Sequence, residues 1–323
     1  MNQFEFVRAT SIAEALDLAA QRPGSVFKAG GIDLLDRLKA HLSEPSRLVD
    51  LKGIPGLNGI DEAVDGSFRI GPLTTLAQVS AHPALRATHT ALAQACGEAA
   101  SPQIRNVATI GGNLLQRPRC WYYRLESYRC LKKGGDICFA LGGENRYHAV
   151  FGNGSCNAPH PSNAAVALVA LGASLTFTSK KGTRTLSAEQ FFALPSADPT
   201  RENTLQPGEI LSEITVPAAP GVHSIYSSIC QRAAFDWPLV SAAVSLRIEG
   251  GLVRGARIVL GAVATRPWRS PAAEHLLVGR RLEGATGEAV GQAAMMGAQP
   301  LSDNRYKVDL AKALLRRMLA PTA

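Results

Sequence analysis

Residues 1–55 alternate between short apolar runs and stretches of helical periodicity. The runs at 4–7, 25–29 and 47–51 are rich in apolar and β-branched residues, and they predict three strands. Between them, Ser11 opens a capping box and apolar positions recur at helical spacing, which predicts two helices. Because strands that alternate with helices favour parallel pairing, this part of the chain is predicted to form a small β-α-β-α-β unit.

Residues 56–217 show mixed periodicity and end at Pro217, which we take as a boundary. Segment 163–171 is rich in alanine and apolar throughout, which is typical of a buried helix. The pattern further predicts strands at 68–70 and 209–216, a hairpin at 175–186, a helix at 84–99, and a strand-to-turn segment with a Gly-Gly break at 107–116.

Residues 218–323 form a third region, in which strands precede helices. Strands are predicted around 224–229, 241–248 and 257–263, with glycine-containing turns between them. Helices are predicted over most of 270–319. We find neither an internal repeat nor a low-complexity segment in the sequence.

Composition narrows the class of protein. Of the 323 residues 46% are hydrophobic, but no apolar run reaches the roughly 18 residues of a membrane helix, so no membrane insertion is expected. The net charge is +8, yet the basic residues are scattered along the chain. This favours an ordinary solvated surface, or basic residues that attract an acidic protein partner, over nucleic-acid binding. Because the N-terminus lacks the features of a signal peptide, we expect a cytoplasmic chain, or a periplasmic one exported with a partner.

Two glycine pairs, Gly30-Gly31 and Gly111-Gly112, suggest a site for a dinucleotide. Backbone N–H groups at such turns suit a pyrophosphate, and glycine lets the backbone approach phosphate oxygens closely. Thr109 adds a hydroxyl donor beside the second pair. Each pair could equally be only a tight turn or a bulge. Since neither matches the G-x-G-x-x-G fingerprint, a Rossmann NAD site is not supported.

Four of the six cysteines lie in one segment with the spacing C-x9-C-x7-C-x17-C. Structural zinc sites usually contain C-x2–4-C knuckles, and the segment has none. Iron–sulfur ligation tolerates irregular spacing. The spacing alone therefore leaves an iron–sulfur cluster, a zinc site and unconnected core thiols open. The four residues are Cys120, Cys130, Cys138 and Cys156, whereas Cys96 and Cys230 are interpreted as ordinary buried cysteines.

Four segments resemble one known family, the FAD-binding subunits of molybdenum hydroxylases of the xanthine dehydrogenase type. They are residues 28–35 (KAGGIDLL), 108–114 (ATIGGNL), 232–241 (RAAFDWPLVS) and 300–308 (PLSDNRYKV). The resemblance extends over essentially the whole chain.

This resemblance implies an α+β fold in three parts. A PCMH-type (vanillyl-alcohol-oxidase-like) FAD-binding domain would consist of two α/β subdomains, at 1–55 and 56–217. A CO-dehydrogenase-flavoprotein-like domain at 218–323 would contain a three-stranded antiparallel sheet with helices. A Cys-rich insertion at about 117–157 resembles the branch with an added [4Fe–4S] cluster, as in the flavin subunit of bacterial periplasmic aldehyde oxidoreductases. Its ligands would be the four cysteines named above.

The resemblance also assigns residues to FAD. The first turn would hold the pyrophosphate, Thr109 and Gly112 would lie along the flavin-side phosphates and ribityl chain, and Leu211 would pack near the isoalloxazine. The implied FAD-binding residues are Val26, Phe27, Lys28, Ala29, Gly30, Gly31, Ile32, Asp33, Leu34, Ala108, Thr109, Gly112, Asn113, Asn163 and Leu211.

Two departures from the family pattern concern charge near the flavin. Asn163 stands where the family has Asp, and Ser228 and Cys230 stand where it has a Lys and an Arg. A cation near a flavin stabilises its reduced, anionic form, so the loss of one is expected to change the flavin potential.

The function implied by the resemblance is electron transfer, with no catalytic residue assigned to this chain. A molybdopterin-binding large subunit would oxidise an aldehyde or an N-heterocycle, and a small subunit with two [2Fe–2S] clusters would pass the electrons to FAD here. An external acceptor would then receive them. The alternatives are a non-catalytic assembly module with a four-cysteine structural zinc site and a stand-alone flavin oxidase.

Overall fold

The N-terminal part of the chain is a small parallel sheet, in a computed structural model that describes residues 1–320. Its strand order is β1-β3-β2, and both pairings are parallel, which confirms the predicted β-α-β-α-β unit. The elements are β1 (Glu5–Arg8), α1 (Ile12–Gln21), β2 (Ser25–Lys28), α2 (Ile32–Lys39) and β3 (Arg47–Asp50). Ser11 caps α1 by accepting a hydrogen bond from the Glu14 N–H, as the capping box predicts.

The second part is a five-stranded sheet covered by short helices. Its strands are β4 (Ile60–Glu62), β5 (Phe68–Ile70), β6 (Ser174–Ser179), β7 (Gly182–Ser187) and β8 (Ile210–Val216), in the order β4-β5-β8-β6-β7. Its helices are α3 (Leu76–Ala81), α4 (Pro83–Thr88), α5 (Thr90–Gly97), α6 (Pro102–Arg105), α7 (Ile110–Leu114), α8 (Trp121–Arg124), α9 (Asn163–Ala170) and α10 (Ala188–Phe191), with a 3-10 turn at Leu131–Lys133.

The third part is an antiparallel sheet of order β12-β11-β10-β9, with two helices packed on it and a third helix packed on those two. The elements are β9 (Val222–Cys230), β10 (Pro238–Glu249), β11 (Leu252–Gly261), β12 (Trp268–Arg269), α11 (Pro271–Leu277), α12 (Gly284–Ala294) and α13 (Tyr306–Met318). The predicted three-stranded sheet thus gains a fourth strand. This fourth strand, β12, has only two residues, which are too few to show an alternation of apolar and polar positions in the sequence.

Helix α9 joins the second and third parts. Every residue of this helix is buried, as its uniformly apolar sequence predicts. It packs against α5 on one side and against β10 and β11 on the other. The predicted boundaries at 55 and 217 stay predictions, because sheet membership does not define where a domain ends.

Two predicted elements differ from the structure. The predicted helix at 84–99 is divided into α4 and α5 at His89, whose φ of −122° and ψ of 49° lie outside the helical region. The predicted strand-to-turn segment at 107–116 contains α7 instead, because Thr109 caps a helical turn that includes both glycines. Among residues 1–320, no helix is long and apolar enough to cross a membrane.

Candidate functional site

The two glycine turns lie against each other, although about 80 residues separate them in the sequence. A Cβ on Gly30 would overlap the carbonyl oxygen of Val107 and would lie 3.3 Å from the Thr109 nitrogen. Gly31 begins α2 with a φ of +88°, a conformation that glycine adopts without strain. The first turn therefore requires glycine at both positions, for close packing at one and for backbone conformation at the other.

The second turn is held by Thr109 and Pro72. The Thr109 hydroxyl accepts a hydrogen bond of 3.1 Å from the Gly112 N–H and so caps α7. A Cβ on Gly111 would lie 2.8 Å from the Pro72 oxygen, so a side chain does not fit there. This packing leaves the start of α7 facing the first turn.

A cavity of about 770 Å³ opens where the two turns meet. Its volume is within the range of roughly 300–1,000 Å³ that is usual for cofactor sites. The fit to a dinucleotide is supported by two glycine turns that bring backbone N–H groups to one wall. The predicted residues that line it are Val26, Phe27, Ala29, Gly30, Gly31, Ile32, Asp33, Leu34, Ala108, Thr109, Gly112, Asn113, Asn163 and Leu211.

Lys28 is the one predicted FAD residue that the cavity wall, as described within residues 1–320, does not include. Its ammonium pairs with Asp50 at 3.1 Å, and Asp50 is almost fully buried. Its side chain is thus engaged with Asp50 of β3 and is not part of the cavity wall within residues 1–320. The structure assigns it to anchoring β2 on β3.

Sequence reasoning missed several segments of the wall. The turn at 99–101, the segment at 205–210 and the loop at 235–238 all line the cavity. The last of these belongs to the RAAFDWPLVS motif, which in the sequence contributed only to the family resemblance. Phe235 and Trp237 there are large apolar residues with 62% and 48% exposure, a signal that this loop forms the rim of a site.

Asn163 is joined to the second glycine turn through its neighbour. Ser162 caps α9 by accepting a hydrogen bond of 3.0 Å from the Ala165 N–H. The same hydroxyl donates to Asn113 Oδ1 at 2.6 Å. One serine therefore fixes two predicted FAD residues, Asn113 and Asn163, relative to each other.

Ser228 and Cys230 lie apart from the cavity wall, as far as residues 1–320 describe it. Ser228 donates to Glu98 at 2.7 Å, and burial raises the pKa of that carboxyl above its ordinary value. Where the resemblance implies a cation in this strand, the chain thus has a hydroxyl bonded to Glu98.

Asp33, in the first turn of α2, is surrounded by guanidinium groups. Arg124 lies 2.6 Å and Arg119 3.0 Å from its Oδ1 atom. Burial by itself would raise the pKa of Asp33, but the charges of these two arginines outweigh it and hold the pKa below its ordinary value. Asp33 is therefore an anion at neutral pH.

The four cysteines of the insertion are neighbours. Burial, reinforced by the nearby Cys156 and Cys130, raises the pKa of the Cys120 thiol to about 12. Burial likewise raises the pKa of Cys156, to which Cys138 contributes. Across residues 1–320, no three Cys, His, Asp or Glu side chains converge closely enough to hold a single metal ion.

Hydrogen-bond donors and aromatic rings surround these thiols. His148 Nε2 lies 3.2 Å from Cys120 Sγ, and the Asn157 amide donates to Cys138 Sγ at 3.3 Å. Trp121 packs edge-on against His148, with ring centroids 5.3 Å apart. Such donors and apolar walls are the features by which proteins tune sulfur-ligated metal centres.

A second cavity of about 420 Å³ lies between the first cavity and Cys120. Arg119, Asn163 and Trp237 line both cavities. The Arg119 guanidinium lies over the Trp237 ring at 4.6 Å. The group of four cysteines and the dinucleotide-sized cavity are therefore adjacent parts of one region.

Comparison with known families agrees with this geometry. Residues 2–219 match the family described as FAD binding domain in molybdopterin dehydrogenase. Residues 226–322 match the CO dehydrogenase flavoprotein C-terminal domain.

Individual relatives match over almost the full chain. The aldehyde oxidoreductase FAD-binding subunit PaoB of Escherichia coli K12 is 38% identical, with 99% of this chain and 98% of that protein covered. The carbon monoxide dehydrogenase medium chain of Hydrogenophaga pseudoflava is 29% identical, with 98% and 96% covered. Among solved structures, quinoline 2-oxidoreductase from Pseudomonas putida 86 matches with a TM-score of 0.77 and 26% identity, covering 98% of this chain and 96% of that one.

Proposed function

Because this chain belongs to the family of FAD-binding subunits of molybdopterin dehydrogenases, we propose that it carries FAD and a [4Fe–4S] cluster as the electron-transfer subunit of a molybdenum hydroxylase. That the chain is a flavin-dependent oxidoreductase subunit follows from the family. The observation that carries the proposal further is the contact between the two glycine turns at one cavity, beside the group of four cysteines.

The chain's own residues divide the work of holding FAD. The N–H groups of the first turn and the N-terminus of α2 would bind the pyrophosphate. Thr109, Gly112 and Asn113 would lie along the phosphates and ribityl chain, and Leu211 would pack on the flavin ring. FAD, when bound, would supply the exchange between one-electron and two-electron steps.

The spacing of the four cysteines favours an iron–sulfur cluster over a single zinc ion. Structural zinc sites usually contain C-x2–4-C knuckles, and the C-x9-C-x7-C-x17-C segment has none. Iron–sulfur ligation tolerates irregular spacing and takes one thiolate on each of four irons.

The partners in this proposal are a molybdopterin-binding large subunit and a small subunit with two [2Fe–2S] clusters. The names of the relatives support it, since they describe a FAD-binding subunit and a medium chain. The similarity to PaoB favours an aldehyde as the substrate of the complex. The compartment would be the cytoplasm, or the periplasm if a partner carries a twin-arginine signal.

Absorbance and metal content of the purified chain test the proposal. We expect a flavin band in the blue, a broad sulfur-to-iron shoulder, and iron that exceeds zinc. A colourless chain without iron, even after co-expression with its partners, contradicts it. Zinc without iron would instead support the assembly module, and flavin reduction by substrate without partners would support the stand-alone oxidase.

Substitution of single cysteines tests the ligand set. Cys130→Ala should remove most of the iron, because a cluster that loses a ligand is rarely retained. Cys96→Ala is the matched control, since Cys96 is fully buried within α5, outside the insertion, and should leave the iron content unchanged. Full iron content in Cys130→Ala would exclude Cys130 as a ligand.

A further inference from the structure

The first residues of the Cys-rich insertion, 117–124, lie directly on α2. Arg124 Nη1 is 3.0 Å from Asp36, and its Nη2 is 2.6 Å from Asp33. The backbone N–H of Arg117 also donates to Asp33 Oδ2, at 3.1 Å. Arg124 holds its own segment in place as well, by donating to the carbonyls of Pro118 and Arg117 at 2.8 and 2.9 Å.

The same insertion also contacts the opposite rim of the cavity. Lys132 and Glu202 form an ion pair of 2.6 Å in which both side chains are buried. Arg117 Nε lies 2.8 Å from the other oxygen of Glu202. Glu202 belongs to the connection that continues into segment 205–210 of the cavity wall. The insertion therefore bridges the two sides of the cavity.

Asp33 creates an electrostatic problem for the proposed ligand. It lines the cavity in the first turn of α2, where the pyrophosphate of FAD would bind. Two like charges a few ångströms apart in a partly buried site repel strongly enough to weaken binding by a factor on the order of ten to a hundred. Asp33 must therefore be neutralised for the helix N-terminus to attract a phosphate.

We propose that Arg124, together with Arg119, is a positioning residue for FAD: the two arginines, with Arg37 of α2 at 3.2 Å, neutralise and hold Asp33 so that α2 can receive the pyrophosphate. This inference rests on the proposed function, because it takes FAD as the ligand of the cavity. It makes the Cys-rich insertion part of the FAD site, since both arginines lie within it. FAD affinity then depends on the insertion, in addition to any cluster that the insertion holds.

A double-mutant cycle on Asp33 and Arg124 tests the inference. The full-length chain is freed of flavin, and the Kd for FAD is measured by quenching of flavin fluorescence. Arg124→Gln should raise this Kd at least about tenfold, because it leaves Asp33 partly uncompensated. Asp33→Asn should bind FAD as tightly as the wild type. The double variant should return to within about threefold of wild type, since without the carboxylate the cation is not needed.

Two controls separate charge from folding. Arg247→Gln makes the same substitution at an exposed arginine on β10 and should leave the Kd unchanged. Iron content is measured on every variant and should stay at the wild-type level. Weak binding in the double variant, wild-type binding in Arg124→Gln, or loss of iron along with FAD in Arg124→Gln would each overturn the inference. A wild-type chain that binds no FAD overturns the proposed function instead.

Discussion

At the scale of single residues, close packing decides what the glycine turns require. Gly30 and Gly111 each face backbone atoms of another segment, Val107 and Pro72 respectively, so neither position has room for a side chain. The sequence predicted both turns, because each turn is a local pattern, and of the fifteen residues that the family resemblance assigns to FAD all but Lys28 line the cavity. It could not predict that the turns touch each other, because that contact depends on tertiary packing.

The contact between the two glycine turns predicts that a single added methyl group at Gly30 lowers both stability and FAD content. Gly30→Ala should destabilise the chain by about 1–3 kcal/mol, because the new Cβ overlaps the Val107 carbonyl and the two turns must separate. The same separation should open the cavity and lower the FAD content. Thermal unfolding and the flavin-to-protein absorbance ratio measure the two effects.

Gly142→Ala is the matched control for this change. Gly142 also lies in a loop, but no atom lies within 4 Å of an added Cβ there. Its unfolding temperature and FAD content should match those of the wild type. Equal behaviour of the two variants would show that the turns are not packed as closely as the structure indicates.

At the scale of elements, the sequence predicted those whose pattern of apolar residues matches one secondary structure throughout. The β-α-β-α-β unit follows from the alternation of short apolar runs with helical spacing, and the buried helix α9 follows from its uniformly apolar sequence. Helix α7 was missed because two of its five residues are glycine, which disfavours a helix unless a cap and packing stabilise it. The cap is Thr109, and the packing is against Pro72.

The capping serine of α9 gives a prediction at this scale. Ser162→Ala should cost about 1–2 kcal/mol, because Ser162 both caps the helix and donates to Asn113. If Asn113 contacts FAD, loss of that second bond should also weaken FAD binding roughly three- to tenfold. Denaturant unfolding and flavin titration provide the measurements.

Ser187→Ala separates capping from the link to the site. Ser187 caps α10 in the same way, by accepting from the Gln190 N–H at 3.2 Å, but lies outside the cavity wall as described within residues 1–320. It should lower stability and leave the FAD affinity unchanged. The same loss of affinity in both variants would argue against a specific role for the Ser162–Asn113 bond.

At the scale of the whole molecule, the insertion is tied to the C-terminal part by buried polar groups. Asn304 donates from its amide to the carbonyls of His148 and Ala149, at 3.1 and 3.2 Å. Asn304 and Lys307 belong to the PLSDNRYKV motif, which in the sequence contributed only to the family resemblance. Its anchoring role was not predictable, because the partners are backbone groups about 150 residues away.

Asn145 should be important for retaining the proposed cluster. It is fully buried, donates to Ala140, Gly143 and Ser302, and accepts from the Asp303 N–H at 2.9 Å. Asn145→Ala should therefore cost about 3 kcal/mol and lower the iron content more than the FAD content. Asn153→Ala, which removes a single exposed bond to Gln299, should change neither content. Normal iron in Asn145→Ala would contradict this anchoring role.

The buried lysine that links α13, the insertion and the segment after β11 should make stability depend on pH. Lys307, on α13, is 1% exposed and donates to Tyr147 of the insertion at 2.9 Å and to Ala262, beyond β11, at 2.8 Å. Burial lowers its pKa from 10.5 to about 7. Between these values the unfolded chain binds a proton that the folded chain lacks, so stability should rise with pH, by up to about 1.4 kcal/mol per unit.

Lys307→Met isolates this contribution, because it keeps the length of the side chain and removes the titrating group. The difference in free energy of unfolding between wild type and variant should grow in favour of the wild type as the pH rises from 7 to about 9.5. Lys181→Met, at an exposed hairpin turn, should follow the wild-type curve. A difference between wild type and Lys307→Met that stays constant with pH would mean that Lys307 is charged in the folded chain. Its ammonium would then be stabilised by the Tyr147 and Ala262 carbonyls alone, since no carboxylate pairs with it among residues 1–320.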